Sequence, residues 1–175
     1  MPLEFDTINL LDGDARIELA KILSEHDRDI LLHLHAHAPT TLNVANIDNY
    51  FDYPKTIPVV YRKKRLIEAV IIGIPIEHFY EDETFPDPEM GKRNTIYTAV
   101  ILYNDPKVAM KLEAEYRNYL KCYNTIFESR HMRLDWVKGS GFEMVKVLDE
   151  WQIDGSPVAY CKFKINDEVK KNKQS

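Results

Sequence analysis

Cysteine is scarce in this chain of 175 residues: Cys122 and Cys161 are the only two. Two thiols give no disulfide framework and fit a reducing compartment. Long apolar runs are missing as well. The longest, Ala69 to Ile76, is broken by Gly73 and Pro75 and falls far short of a bilayer span, so no membrane segment is expected. The opening residues Met1 to Asp6 are acidic and lack the basic and apolar regions of a secretory signal. A soluble, cytoplasmic protein is the expectation. Charge of one sign is also in short supply. With 28 acidic against 23 basic residues, net charge −5 and pI near 5.7, bulk electrostatics recruits neither nucleic acid nor an anionic membrane. No P-loop, dinucleotide fingerprint, CxxC pair, Gly-x-Ser-x-Gly elbow, internal repeat or low-complexity tract occurs.

What is present reads as an ordinary globular chain, 45% hydrophobic and 29% charged. One domain over 1–165 and a charged tail over 166–175 are predicted. Residues 3–11 suit a strand, and Asp12-Gly13-Asp14 a turn and helix cap. Ile17, Ala20 and Leu23, then Ile30, Leu31 and Leu34, recur near the helical period, predicting one or two helices from Ala15 to Ala38. An ordered loop over 40–56 precedes two strands, Ile57 to Arg62 and Leu66 to Phe79, joined by the solvated tip Arg62-Lys63-Lys64-Arg65. Residues 80–93 are rich in charge and turn formers and predict an exposed excursion. Asn94 to Tyr103 is β-branched and aromatic, a buried central strand.

Asn104-Asp105-Pro106 ends that strand and starts a helix, with Asp105 as N-cap and Pro106 at the first helical position. The helix is predicted from Lys107 to Tyr123, with Val108, Leu112, Tyr116, Tyr119 and Leu120 inward. A short strand over 125–128 and a helix over 130–138 follow, stopped by Gly139-Ser140-Gly141. Residues 142–151 and 156–165 form a closing hairpin turned at Asp154-Gly155. This order predicts an α+β fold, a mixed but largely antiparallel sheet flanked by helices.

Several polar groups invite a functional reading. His33, His35 and His37 would set His33 and His37 one helical turn apart, but no HExxH glutamate accompanies them, so they read as a helix end and no metal is expected. Tyr50, Phe51, Tyr53 and Tyr61 suit a core. Cys122 and Cys161 read as packing residues.

The element order resembles the GNAT fold, the superfamily of acyl-coenzyme A-dependent N-acetyltransferases. The segment Arg130 to Phe142 (RHMRLDWVKGSGF) looks like the fifth strand of that fold, running into a short helix and a Gly-Phe pair. Glu115-Tyr116-Arg117, Trp136-Val137-Lys138 and Gly141-Phe142 are similar to a divergent phage GNAT-like family that includes internal virion proteins of podoviruses. The resemblance in motifs spans about residues 96–165. It implies acetyl-CoA in the V between the fourth and fifth strands, its pyrophosphate over Asn104, Lys107, Val108 and Ala109. It implies an amine acceptor and a general base, for which Glu128, His131 and Tyr103 are the leading candidates, with Glu77 and His78 at the end of the third strand behind them. Two departures stand out. The loop Tyr103 to Met110 has no glycine, and the usual tyrosine acid is replaced by Val137. A catalytically silent GNAT-fold protein, binding a protein partner in host cytoplasm or virion, is therefore the alternative. Neither reading involves nucleic acid or a membrane.

Overall fold

The computed structural model describes residues 7–9, 15–19, 35–36, 55–64, 66–78, 87–121, 125–149 and 157–165. Among these are nine strands, β1 (Thr7–Asn9), β2 (Ala15–Leu19), β3 (His35–Ala36), β4 (Ile57–Lys63), β5 (Leu66–Pro75), β6 (Thr95–Tyr103), β7 (Phe127–Arg133), β8 (Glu143–Leu148) and β9 (Val158–Lys164). Two α-helices, α1 (Pro106–Lys121) and α2 (Leu134–Val137), and a 3-10 turn at Ile76–His78 complete them. The strand order is β1-β2-β4-β5-β6-β7-β9-β8, with β3 on β6. The β6–β7 pair is parallel and the other registered pairs are antiparallel, giving the expected mixed α+β architecture. No helix among the described residues is long and apolar enough to cross a membrane.

The chain forms two compact units, 1–38, 42–74 and 99–116 in one, 39–41, 75–98 and 117–175 in the other. In the first, the β4–β5 hairpin is the apolar centre. Val59, Val60, Ile67, Val70 and Ile72 are almost wholly buried, as expected of β-branched residues that follow one another on a strand covered on both faces. Lys64, at φ 56°, turns the tip, and Lys63 and Lys64 are exposed. Tyr61 is a core residue, 3% exposed; Tyr50, Phe51 and Tyr53 lie outside the described residues.

The helix expected over 15–38 is corrected at both ends. Ala15–Leu19 is a strand, Ile17 lying opposite Ile8 on one side and Tyr61 on the other. His35–Ala36 pairs with Tyr103 and Leu102. The sequence Ala-Arg-Ile-Glu-Leu alternates apolar and polar, so it fits a two-residue period as well as a helical one, and pairing with β4 decides for the strand. His33 and His37 lie outside the described residues.

In α1, Asp105 accepts a hydrogen bond from the Lys107 N–H at 2.9 Å, capping the helix as its sequence predicts. Ala109, Leu112, Tyr116 and Leu120 make its buried stripe, while Met110 is 71% exposed.

In the second unit β6, β7, β9 and β8 follow one another. The strand expected to end at Glu128 runs on to Arg133, and the helix expected over 130–138 shrinks to Leu134–Val137. Charged residues enter the strand because they find partners there, as shown below. Gly139 and Gly141 have φ of 81° and 86°, and a Cβ at Gly141 would stand 3.2 Å from the Phe163 ring, so the turn needs glycine on both counts. The exposed excursion is corrected at Asp87, which is 5% exposed. Glu77 and His78 belong to the 3-10 turn rather than to a strand end.

Candidate active site

Strand β7 alternates its side chains between two faces, and each face carries a polar network. On the first, Glu128 is fully buried, facing Thr98 of β6 and Arg117 of α1. Its carboxylate accepts hydrogen bonds from the Thr98 hydroxyl at 2.8 Å, from Arg117 Nε at 3.1 Å and from the Arg130 guanidinium. The two guanidinium groups lie over aromatic rings: Arg117 is 4.6 Å from the Phe163 centroid and Arg130 4.7 Å from that of Phe142. Burial raises the Glu128 pKa, but Arg130 and Arg117, with hydrogen bonds from Arg130 and Thr98, outweigh it and hold the carboxyl below its ordinary value. A carboxylate so engaged is a poor proton acceptor. Glu128 is therefore an anchor between β6, β7 and α1.

On the other face His131, 2% exposed, places Nδ1 2.7 Å from the Tyr97 hydroxyl. The Tyr160 ring lies against the imidazole with centroids 5.2 Å apart. Tyr160 in turn donates its hydroxyl hydrogen to Asp87, which also accepts from Lys162 Nζ at 2.5 Å and from the Glu89 N–H at 2.7 Å. The register explains the grouping, since Tyr97 stands opposite Ser129, Ser129 opposite Lys162, and His131 opposite Tyr160. Imidazole is the side-chain type suited to proton transfer, and here a phenol fixes its orientation.

Of the remaining candidates, Tyr103, Asn104, Lys107, Val108 and Ala109 are in the first unit, Glu77 and His78 in the second. Tyr103 ends β6 half-buried, and Asn104 and Lys107 are exposed beside it. Two backbone N–H groups of the expected pyrophosphate segment are already engaged, Lys107 by the Asp105 side chain and Ala109 by the Asp105 carbonyl at 3.1 Å. Glu77 Oε1 accepts the Arg93 N–H at 2.8 Å. Glu128 and His131, alternative candidates for the base in the sequence reading, point to opposite faces of β7. Arg117, Thr98, Tyr97, Asp87, Tyr160 and Lys162 escaped that reading as site residues, since strand register and, for Arg117 and Asp87, contacts from outside the strands bring them together. Among the described residues no group of three or more His, Cys, Asp or Glu side chains is placed to hold a metal. Cys161, fully buried on β9, has its pKa pushed up to about 11 by burial, with Arg130 opposing, so it is no nucleophile.

No protein-family model matches the sequence, and no curated protein matches it. Solved structures do match. The ribosomal-protein-S18-alanine N-acetyltransferase of Escherichia coli aligns over 86% of this chain and 94% of its own, with TM-score 0.61 and 12% identity. YncA of Salmonella typhimurium, solved with its cofactor acetyl-CoA, aligns over 89% and 96%, with TM-score 0.59 and 10% identity. A GNAT-family protein of Desulfovibrio desulfuricans aligns over 86% and 99%, with TM-score 0.59 and 8% identity. The fold is GNAT-like.

Proposed function

We propose that the protein is an acyl-CoA-dependent N-acyltransferase of divergent GNAT type, with acetyl-CoA as the simplest donor and a primary amine as acceptor. The fold carries this reading, and the Salmonella typhimurium neighbour with acetyl-CoA supports it. Asn104, Lys107, Val108 and Ala109 form the pyrophosphate end, where the Lys107 ammonium supplies the charge that a glycine loop would supply through its amides. His131 is the base. It takes the proton of the acceptor ammonium, the neutral nitrogen attacks the thioester carbonyl, the C–S bond breaks, and the leaving thiolate takes up the second proton that the acylated nitrogen sheds. Tyr103, at the end of β6, is the alternative base.

One observation favours a second reading, a catalytically silent GNAT-fold protein that binds a protein partner, as in a virion. Asp105 occupies the Lys107 N–H and sets a carboxylate where the pyrophosphate would approach. The deciding experiment is a thermal melt with acetyl-CoA. A ligand at a thousandfold its Kd stabilises by about 4 kcal/mol, a shift of several degrees. We expect a smaller shift, abolished in Lys107→Ala, together with amine-dependent release of CoA thiol. A melt unmoved by acetyl-CoA, with no thiol release, returns the silent reading.

A further inference from the structure

Strand β8 ends the sheet order, and among the described residues no strand pairs with its outer edge. Its exposure contrasts sharply with that of its neighbour. Glu143 to Val147 are all exposed, whereas Val158 to Cys161 of β9 are buried. Met144, Val145 and Val147 are 50%, 42% and 39% exposed, so half of this six-residue strand is apolar surface. A strand that ends the sheet order and carries apolar side chains on its surface is a template for another strand.

The register says which strand fits. Glu143 stands opposite Lys162 and Met144 opposite Cys161; after a bulge at Val145, Lys146 stands opposite Tyr160 and Val147 opposite Ala159. Cross-strand partners share a face, and on β9 Lys162 and Tyr160 lie on the His131 side, Cys161 and Ala159 on the Arg130 side. The bulge therefore puts Glu143 and Lys146 together on one face and Met144 and Val147 together on the other. An unbroken strand would separate both pairs.

We propose that β8 is the interface of a homodimer, two copies joining antiparallel, edge to edge, about a two-fold axis at Met144. In this register Glu143 of each copy faces the partner's Lys146, giving two ion pairs on one face. On the opposite face Met144 meets the partner's Met144, flanked by the two Val147 side chains. A register centred on Lys146 would oppose like charges, so charge selects between them.

Sedimentation across a concentration series tests this on the whole chain. The parent is expected to pass from monomer to dimer. Glu143→Lys and Lys146→Glu are each expected to weaken association roughly tenfold or more, because each opposes like charges twice. An equimolar mixture of the two variants is expected to associate as a heterodimer, since every junction again sets a cation against an anion. A parent monomeric throughout, single variants that associate as the parent does, or a mixture that stays monomeric overturns the proposal.

Discussion

Glu128 Oε2 and Arg117 Nε lie 3.1 Å apart, the carboxylate fully buried and the guanidinium side chain 24% exposed. With Arg130 on the same carboxylate, one anion serves two cations, and removing it takes that carboxylate from both. Glu128→Ala is expected to cost about 3–5 kcal/mol, measured by denaturant unfolding.

The same carboxylate sets an acid limit. Its folded pKa is below the ordinary value, so its stabilisation is complete above the unfolded pKa, about 4.3, and is lost as pH falls through the folded value. Melting temperature against pH should fall on the acid side in the parent. Glu128→Gln should start lower near neutrality and decline less steeply. An equally steep decline in the variant would assign the acid sensitivity to other groups.

Asp87 holds Tyr160 and Lys162 from outside the strands. Asp87→Ala takes the carboxylate away from a nearly buried ammonium and a phenol, an expected loss of about 3 kcal/mol or roughly 10 °C in melting temperature. Asp87→Asn keeps an acceptor and should lose less. Equal losses in the two variants would show that the charge, not the hydrogen bond, matters.

Asp105→Ser keeps a capping oxygen while removing the carboxylate. Acetyl-CoA should then stabilise the variant more than it stabilises the parent, read as a larger thermal shift. Asp105→Ala, which loses the cap as well, should cost about 1 kcal/mol without ligand.

Cys161, with its pKa at about 11, should resist alkylation in the native state. In a Cys122→Ala background at about pH 8, iodoacetamide should label it only after unfolding. Labelling at the rate of a free thiol would contradict its burial.

Much of the fold was legible where one periodicity prevailed. The β4–β5 hairpin, the apolar β6 and the helix from Pro106 follow from β-branched runs and an Asp-Pro cap, and the α+β class follows from their order. Legibility failed in two places. Ala15 to Leu19 satisfies both periods, and only the pairing with β4 chooses. Phe127 to Arg133 carries Glu, Ser, Arg and His, which look like surface until Thr98, Arg117, Tyr97 and Tyr160 arrive from elsewhere in the chain. The candidate site was legible as residue types near the right element and not as groupings. Glu128 and His131 are close in sequence, yet alternation along the strand assigns one to an ion cluster and the other to a phenol.

That alternation has a consequence for alignment. Were β7 to slide by one residue against β9, its faces would exchange: Glu128 and Arg130 would turn away from Arg117 and Thr98, and His131 would turn from Tyr97 toward the phenylalanines. Strands made of valine and isoleucine, such as β5, present similar surfaces either way and tolerate such a slip in their side chains. On β7 a one-residue slip strands an ion in the interior, so the charged strand acts as a keyed joint.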